Sequence, residues 1–317
     1  MPQFFSNNDK SIIIANSFNS TVPDDESKIL AWLSPLEPWV RHRDIGAQRV
    51  DGIGAWLLET KGFRCWVNGS RENEADRPTL FCDGNPGVGK SYIVYGRNIT
   101  VRSQRTALLM GSDNSSLVID KLCDEAVDED TVVTCFYFDF AARNEQSPAN
   151  MLGSLLRQLV NGLEEIPEAI VRAYRKQKRA IGGRRLQVSG ILAMFQSLTA
   201  TKRMFICVDA LDECLPEHRM VVLESLRQIL QGSPNTRIFM TGRPQVRAEV
   251  ERKLDQAATF ILIQPTEDGV VRYLRETLRN DTTPEIMSST LEAEIMKSIP
   301  EINSETYVEA SSRKRLP

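Results

Sequence analysis

The chain has 317 residues, 41% hydrophobic and 26% charged, with a formal net charge of −3. That is ample material for a buried core, with no charge excess to draw the chain to nucleic acid or to an acidic membrane surface. Six cysteines include no C-x-x-C pair and only two histidines accompany them, which excludes a zinc-ligand spacing.

Cys65, Cys82, Cys123, Cys135, Cys207 and Cys214 instead read as small core residues of a reduced, cytoplasmic protein. No segment approaches the roughly 18 consecutive apolar residues of a membrane span, and the N-terminus lacks the basic start and apolar run of a secretion signal.

In chain order, residues 1–24 are rich in Asn and Ser and read as a disordered leader, with one β-prone run from Ser11 to Val22 whose alternation suits a stacked cross-β strand. Residues 25–70 carry helical signals: Ser27 to Leu33, then Asp44 to Thr60, where Ile45, Val50, Ile53, Trp56 and Leu57 recur at helical spacing. Pro35 and Pro38 separate the two. A polar loop (Asn68–Pro78) follows.

From there short apolar runs alternate with longer amphipathic ones, the mark of an α/β domain with a parallel sheet. The expected strands are Thr79–Asp83, Val132–Phe138, Arg203–Val208, Arg237–Thr241 and Phe260–Ile263. The expected helices are Pro148–Gly162, Pro167–Arg179, Val188–Thr199, Glu217–Gln231, Pro244–Asp255 and Thr266–Arg279. Phe205–Val208 and Ile238–Met240 are continuously apolar, as strands covered on both faces must be.

Three of these strands end in residues that carry chemistry. Gly84-Asn85-Pro86-Gly87-Val88-Gly89-Lys90-Ser91 is G-x-x-x-x-G-K-S, directly after a strand and at the start of a helix. Glycines let consecutive N–H groups curl around phosphate oxygens, and the helix N-terminus adds its positive end. Lys90 is placed to meet the β- and γ-phosphates, and the Ser91 hydroxyl to bind Mg²⁺.

The run Met204–Glu213 is an apolar strand ending in Asp209, whose carboxylate can hold the Mg²⁺ shell, with Asp212 or Glu213 just beyond it to orient an attacking water. The third strand ends in Thr241-Gly242-Arg243-Pro244, so Arg243 stands at the same sheet edge, where it can sense or neutralise a γ-phosphate. The basic residues Arg172, Arg175, Lys176, Lys178, Arg179, Arg184 and Arg185 lack interleaved aromatics except Tyr174 and read as a solvated face, not a nucleic-acid surface.

Together these elements resemble the NACHT family of signal-transducing STAND P-loop NTPases, and within it the fungal proteins related to the nephrocystin-type N-terminal domain, from about Leu30 to Val308. The D-A-L-D-E run at Asp209–Glu213 and the T-G-R-P run at Thr241–Pro244 carry the likeness. So do Trp32–Pro38 and Gly52–Leu58 with Phe63 and Trp66, the latter similar to the helix that precedes the phosphate loop and helps cover the base.

The resemblance implies a three-layer α/β/α fold with a five-stranded, mainly parallel sheet of order 5-1-4-3-2, preceded by a helical segment. It implies slow hydrolysis of ATP, ahead of GTP, with Mg²⁺, resetting a conformational switch that self-associates or joins a full-length relative. By this reading residues 71–280 are the nucleotide domain and 281–317 begin a truncated helical region, because the clamp domain and sensor repeats of the family would lie beyond Pro317. A nucleotide-binding fragment without catalysis and an ordinary P-loop phosphotransferase are the alternatives; the sequence shows no arginine-rich lid for the latter.

One stretch departs from the family. Residues 94–114 interrupt the helix after Ser91 with β-branched, Gly and Asn residues of poor helix propensity. Joining Ser91-Tyr92-Ile93 to Ser115–Leu122 restores one amphipathic helix. The stretch is either a surface insertion or an intron translated in frame.

Overall fold

The structure is a computed structural model, and it describes residues 22–36, 54–69, 76–86, 88, 90, 117–125, 131–179, 186–200, 202–254, 257–264, 266–279 and 290–298. Five strands form one sheet: β1 (Thr79–Asp83), β2 (Thr131–Tyr137), β3 (Arg203–Asp209), β4 (Thr236–Gly242) and β5 (Ala258–Leu262). Every neighbouring pair is parallel, and the order β2-β3-β4-β1-β5 is the expected 5-1-4-3-2 viewed from the other edge. All five lie within two residues of the runs picked from apolar patterning.

Side chains alternate between two cores, as the period of two along a strand requires. On one face Phe81, Phe136, Ile206, Val208, Ile238 and Met240 pack beneath the helices α5 (Pro148–Asn161), α7 (Val188–Thr199), α8 (Pro216–Gly232) and α9 (Arg247–Leu254). On the other, Leu80, Cys82, Cys135, Phe205, Cys207 and Phe239 meet α3 (Lys61–Asn68) and α4 (Leu117–Glu125). The result is the three-layer α/β/α arrangement expected.

The N-terminal helix α1 (Val22–Leu33) lies on the outside of α5, where Ser34 Oγ donates to Asn150 O at 2.8 Å. A Cβ on Gly153 would come within 2.1 Å of Leu33 O, so this approach demands a glycine in mid-helix. Trp32 reaches across to α6 (Glu168–Lys178), donating from Nε1 to Gln177 at 2.5 Å with its ring edge-on to Tyr174.

The expected helix Asp44–Thr60 is corrected in its described part. Gly54 takes φ 84, and only the single turn α2 (Trp56–Glu59) follows before Thr60 caps α3 by accepting from Phe63 N. Residues 44–53 lie outside the described residues. Similarly, Pro244 begins a 3-10 turn before α9, not one continuous helix. α3, which carries the Phe63 and Trp66 of the expected helical segment 25–70, is tied to the bottom of the sheet: Trp66 Nε1 donates to Pro78 O at 3.0 Å, and Arg203 donates to Val67 O.

Four cysteines are buried as expected, Cys123 is half-buried, and Cys65 is exposed on α3, which corrects its assignment to the core. α10 (Glu267–Arg279) follows β5. Among the described residues no helix is long and apolar enough to cross a membrane.

Candidate nucleotide site

Because every strand is parallel, the C-terminal ends of β1, β3 and β4 open on one edge, and the chemistry-bearing residues converge there. Gly84 follows β1 and donates its N–H to Gly242 O at 3.2 Å. A Cβ on Gly84 would meet Ile263 O and Val88 Cγ2, each at 2.8 Å, so the loop can leave the sheet here only as glycine. Asn85 and Pro86 are exposed and Val88 is half-buried. Gly87, Gly89 and Ser91 lie outside the described residues.

Lys90 turns back over its own loop, with Nζ donating to Gly84 O at 2.7 Å and to Asn85 O at 2.8 Å. Burial lowers its ammonium below the ordinary lysine range; the charges of Asp212, Asp209 and Asp83 act the other way, and Arg243 adds to the lowering.

Asp209 ends β3 and is 1% exposed. Thr241 of β4 donates its hydroxyl to Asp209 Oδ1 and accepts from Ala210 N at 3.1 Å. Ala210 itself is left-handed (φ 54, ψ 46), the one such non-glycine among the described residues. An alanine there costs roughly 1–2 kcal/mol, and Thr241 holds its N-terminal side. The reversal starts the short 3-10 turn Leu211–Glu213 and brings Asp212 back toward β4.

Both oxygens of Asp212 meet Arg243: Oδ1 accepts from Arg243 N at 3.1 Å, and Oδ2 lies 2.9 Å from Arg243 Nε. Glu213 Oε2 accepts from Phe140 N at 2.9 Å, which bridges to the turn after β2. Thus the structure brings Lys90, Asp209, Asp212 and Arg243 together, while Glu213 leans toward the β2 side.

Among the described residues no group of three His, Cys, Asp or Glu side chains could hold a metal by itself. A hard divalent cation such as Mg²⁺ fits the donor set available: it is commonly held by one or two carboxylates together with phosphates and water, and Asp209 presents a buried carboxylate with its orientation fixed by Thr241.

Residues missed in sequence are Thr241, Asp83 and Arg247. A polar residue closing the apolar run Ile238–Met240 was a visible signal for Thr241. Asp83 is visible as the charge ending β1, but nothing in the spacing links it to Arg247, whose Nη1 stands 3.2 Å from Asp83 Oδ1.

The family described as "Nephrocystin 3, N-terminal" matches residues 112–243, under half of the chain. That match starts at the far end of the stretch 94–114 and takes in the strand ends at Asp209 and Arg243, but not the phosphate loop. No curated protein matches the chain. Among solved structures it is similar to a Walker-type ATPase of Pyrococcus abyssi, at 14% identity and TM-score 0.39, over 74% of this chain and 62% of that one.

It is similar also to the ORC1 protein of Aeropyrum pernix in complex with DNA, at 13% identity and TM-score 0.41, over 84% of this chain and 62% of that one. A third likeness, to a chain of the HORMA:CdnC:Trip13 complex of E. coli, has 12% identity and TM-score 0.28 over 86% and 76% of the two chains. The chain thus spans about 62% of the length of the first two structures. The glycine-rich sequence after β1, the carboxylate ending β3 and the all-parallel sheet of order β2-β3-β4-β1-β5 are the features of an α/β P-loop fold.

Proposed function

We propose that this chain is the nucleotide module of a NACHT-type signalling switch, binding ATP in preference to GTP together with Mg²⁺. The observation that carries the reading is the convergence of Lys90, Asp209, Asp212 and Arg243 at one sheet edge: Lys90 donates to Gly84 O, Gly84 N donates to Gly242 O, and Arg243, the next residue, holds Asp212. In this assignment the backbone of Gly84–Ser91 cradles the phosphates and Lys90 exchanges its loop carbonyls for β/γ-oxygens. Ser91 and Asp209 hold Mg²⁺, whose charge offsets that of the phosphates. Arg243 faces the γ-phosphate, and the module acts in the cytosol by self-association or by joining a full-length relative.

Turnover is the finer question. Glu213 is the assigned water-orienting carboxylate, with Asp212, whose oxygens meet the Arg243 N–H and guanidinium, as the alternative. Glu213→Gln should leave Mg²⁺–ATP binding intact and slow γ-phosphate release by about a hundredfold, the usual size of a lost general-base contribution. Binding by calorimetry and phosphate release on the same preparation check this; normal release by the variant removes Glu213 from that role.

A second reading, binding without hydrolysis, draws on the Phe140 N–H held by Glu213. It expects saturable binding and no phosphate release from the wild-type chain.

A further inference from the structure

Asp83 is the last residue of β1, its side chain is 3% exposed, and Gly84 beside it opens the phosphate loop. A buried carboxylate directly beneath a phosphate loop is unfavourable twice over. Burial of uncompensated charge costs free energy, and its field repels an anionic ligand. That field reaches the ligand site, because Asp83 directly precedes Gly84, whose carbonyl accepts from Lys90 Nζ at 2.7 Å.

Arg247 answers it from the first turn of α9, with Nη1 3.2 Å from Asp83 Oδ1. The guanidinium is fixed on its other sides: Nε donates to Glu251 Oε1 at 2.8 Å, and Cζ lies 4.7 Å from the centroid of the Phe260 ring on β5. The helix is fixed in turn. Glu249, two residues on, accepts both Nε and Nη2 of buried Arg219 at 2.7 and 2.8 Å, and Arg219 Nη1 donates to Cys214 O, just past the turn that carries Asp212 and Glu213.

We propose that Arg247 is a positioning residue of the phosphate site: by neutralising Asp83 from α9 it lets β1 end in a carboxylate without repelling bound phosphate. Nucleotide affinity is thereby coupled to the seating of α9 against β5 and the loop after β3. This inference rests on the nucleotide reading of the site. It concerns a residue outside both the glycine-rich loop and the carboxylates at the end of β3.

The test uses the full chain as Arg247→Ala, Arg247→Lys, Asp83→Asn and the double variant Asp83→Asn/Arg247→Ala, with Mg²⁺–ATP titrated calorimetrically and thermal melting followed without nucleotide. Arg247→Ala should weaken Mg²⁺–ATP by about tenfold, the scale of one uncompensated charge near the ligand, and should lower the ligand-free melting temperature. Asp83→Asn in that background should restore both, because the charge needing compensation is gone, and Arg247→Lys should retain most of the affinity.

Unchanged affinity in a folded Arg247→Ala chain overturns the proposal, and so does failure of Asp83→Asn to restore it. If Arg247→Ala alone does not fold, the double variant is compared with Asp83→Asn: equal affinities support the proposal, and a double variant about tenfold weaker contradicts it. A wild-type chain that does not bind Mg²⁺–ATP defeats the nucleotide reading itself, and this inference with it; binding by wild type with no loss in Arg247→Ala defeats this inference alone.

Discussion

Thr241 concentrates the demands of the site in one hydroxyl, which donates to the buried Asp209 carboxylate and accepts from the left-handed Ala210 N–H. Thr241→Val keeps the shape and removes both partners. It should cost about 2–3 kcal/mol, since a buried charge and a buried N–H each lose a hydrogen bond, and urea denaturation measures it. The same variant should weaken the Mg²⁺-dependent part of nucleotide affinity more than the Mg²⁺-independent part, because Asp209 loses its fixed orientation. Thr241 stood within a motif noticed in sequence, yet its role was hidden: which oxygen a threonine serves depends on the strand beside it, and β3 and β4 are adjacent only in the folded sheet.

Among elements, α9 shows how far local pattern carries. Its apolar positions Val250 and Leu254 are legible and buried, whereas its polar residues hold it in place through partners distant in sequence, Arg219 and Asp83. The strands were legible for a simple reason: β1, β3 and β4 are buried along nearly their whole length, so continuous apolar runs mark them. α3 was legible in part, since Phe63, Trp66 and Val67 fall at helical spacing, but its start was not, because the Thr60 cap counts only once the chain has turned at Gly54.

The Arg219–Glu249 staple makes a pH prediction. Hydrogen bonds from Arg219 hold the Glu249 carboxyl below its ordinary value of 4.5, with burial opposing. A depressed folded value contributes stability that is present above the unfolded value and lost as pH falls through the folded one. Urea stability should therefore decline below about pH 4.5, the ordinary carboxyl value. Glu249→Gln should flatten part of that decline while lowering stability at pH 7 by about 2 kcal/mol. An unaltered acid limb in Glu249→Gln would assign the decline to other carboxylates.

Across the whole molecule, the glycine-rich loop ending at Ser91 and the family-matched segment 112–243 are separated by residues 92–111, most of which belong to the stretch 94–114, and that stretch lies outside the described residues. Beyond it α4 buries Val118, Ile119 and Leu122 against the sheet, where a helix continuing from Ser91 is expected to pack. A chain lacking residues 94–114 should melt higher and bind Mg²⁺–ATP more tightly, since an unbroken helix aims its N-terminal N–H groups more firmly at phosphate. Paired thermal melts with and without Mg²⁺–ATP decide it, and equal shifts would mark the stretch as a tolerated insertion.

If the loop from Gly84 to Ser91 holds nucleotide phosphates, Lys90 is the side chain whose loss binding should tolerate least. Calorimetric titration of Mg²⁺–ATP into the wild-type chain and into folded Lys90→Ala tests it most directly. Saturable binding at one site is expected of the wild type, and no measurable binding of the variant. Equal affinity in the two folded proteins would contradict it.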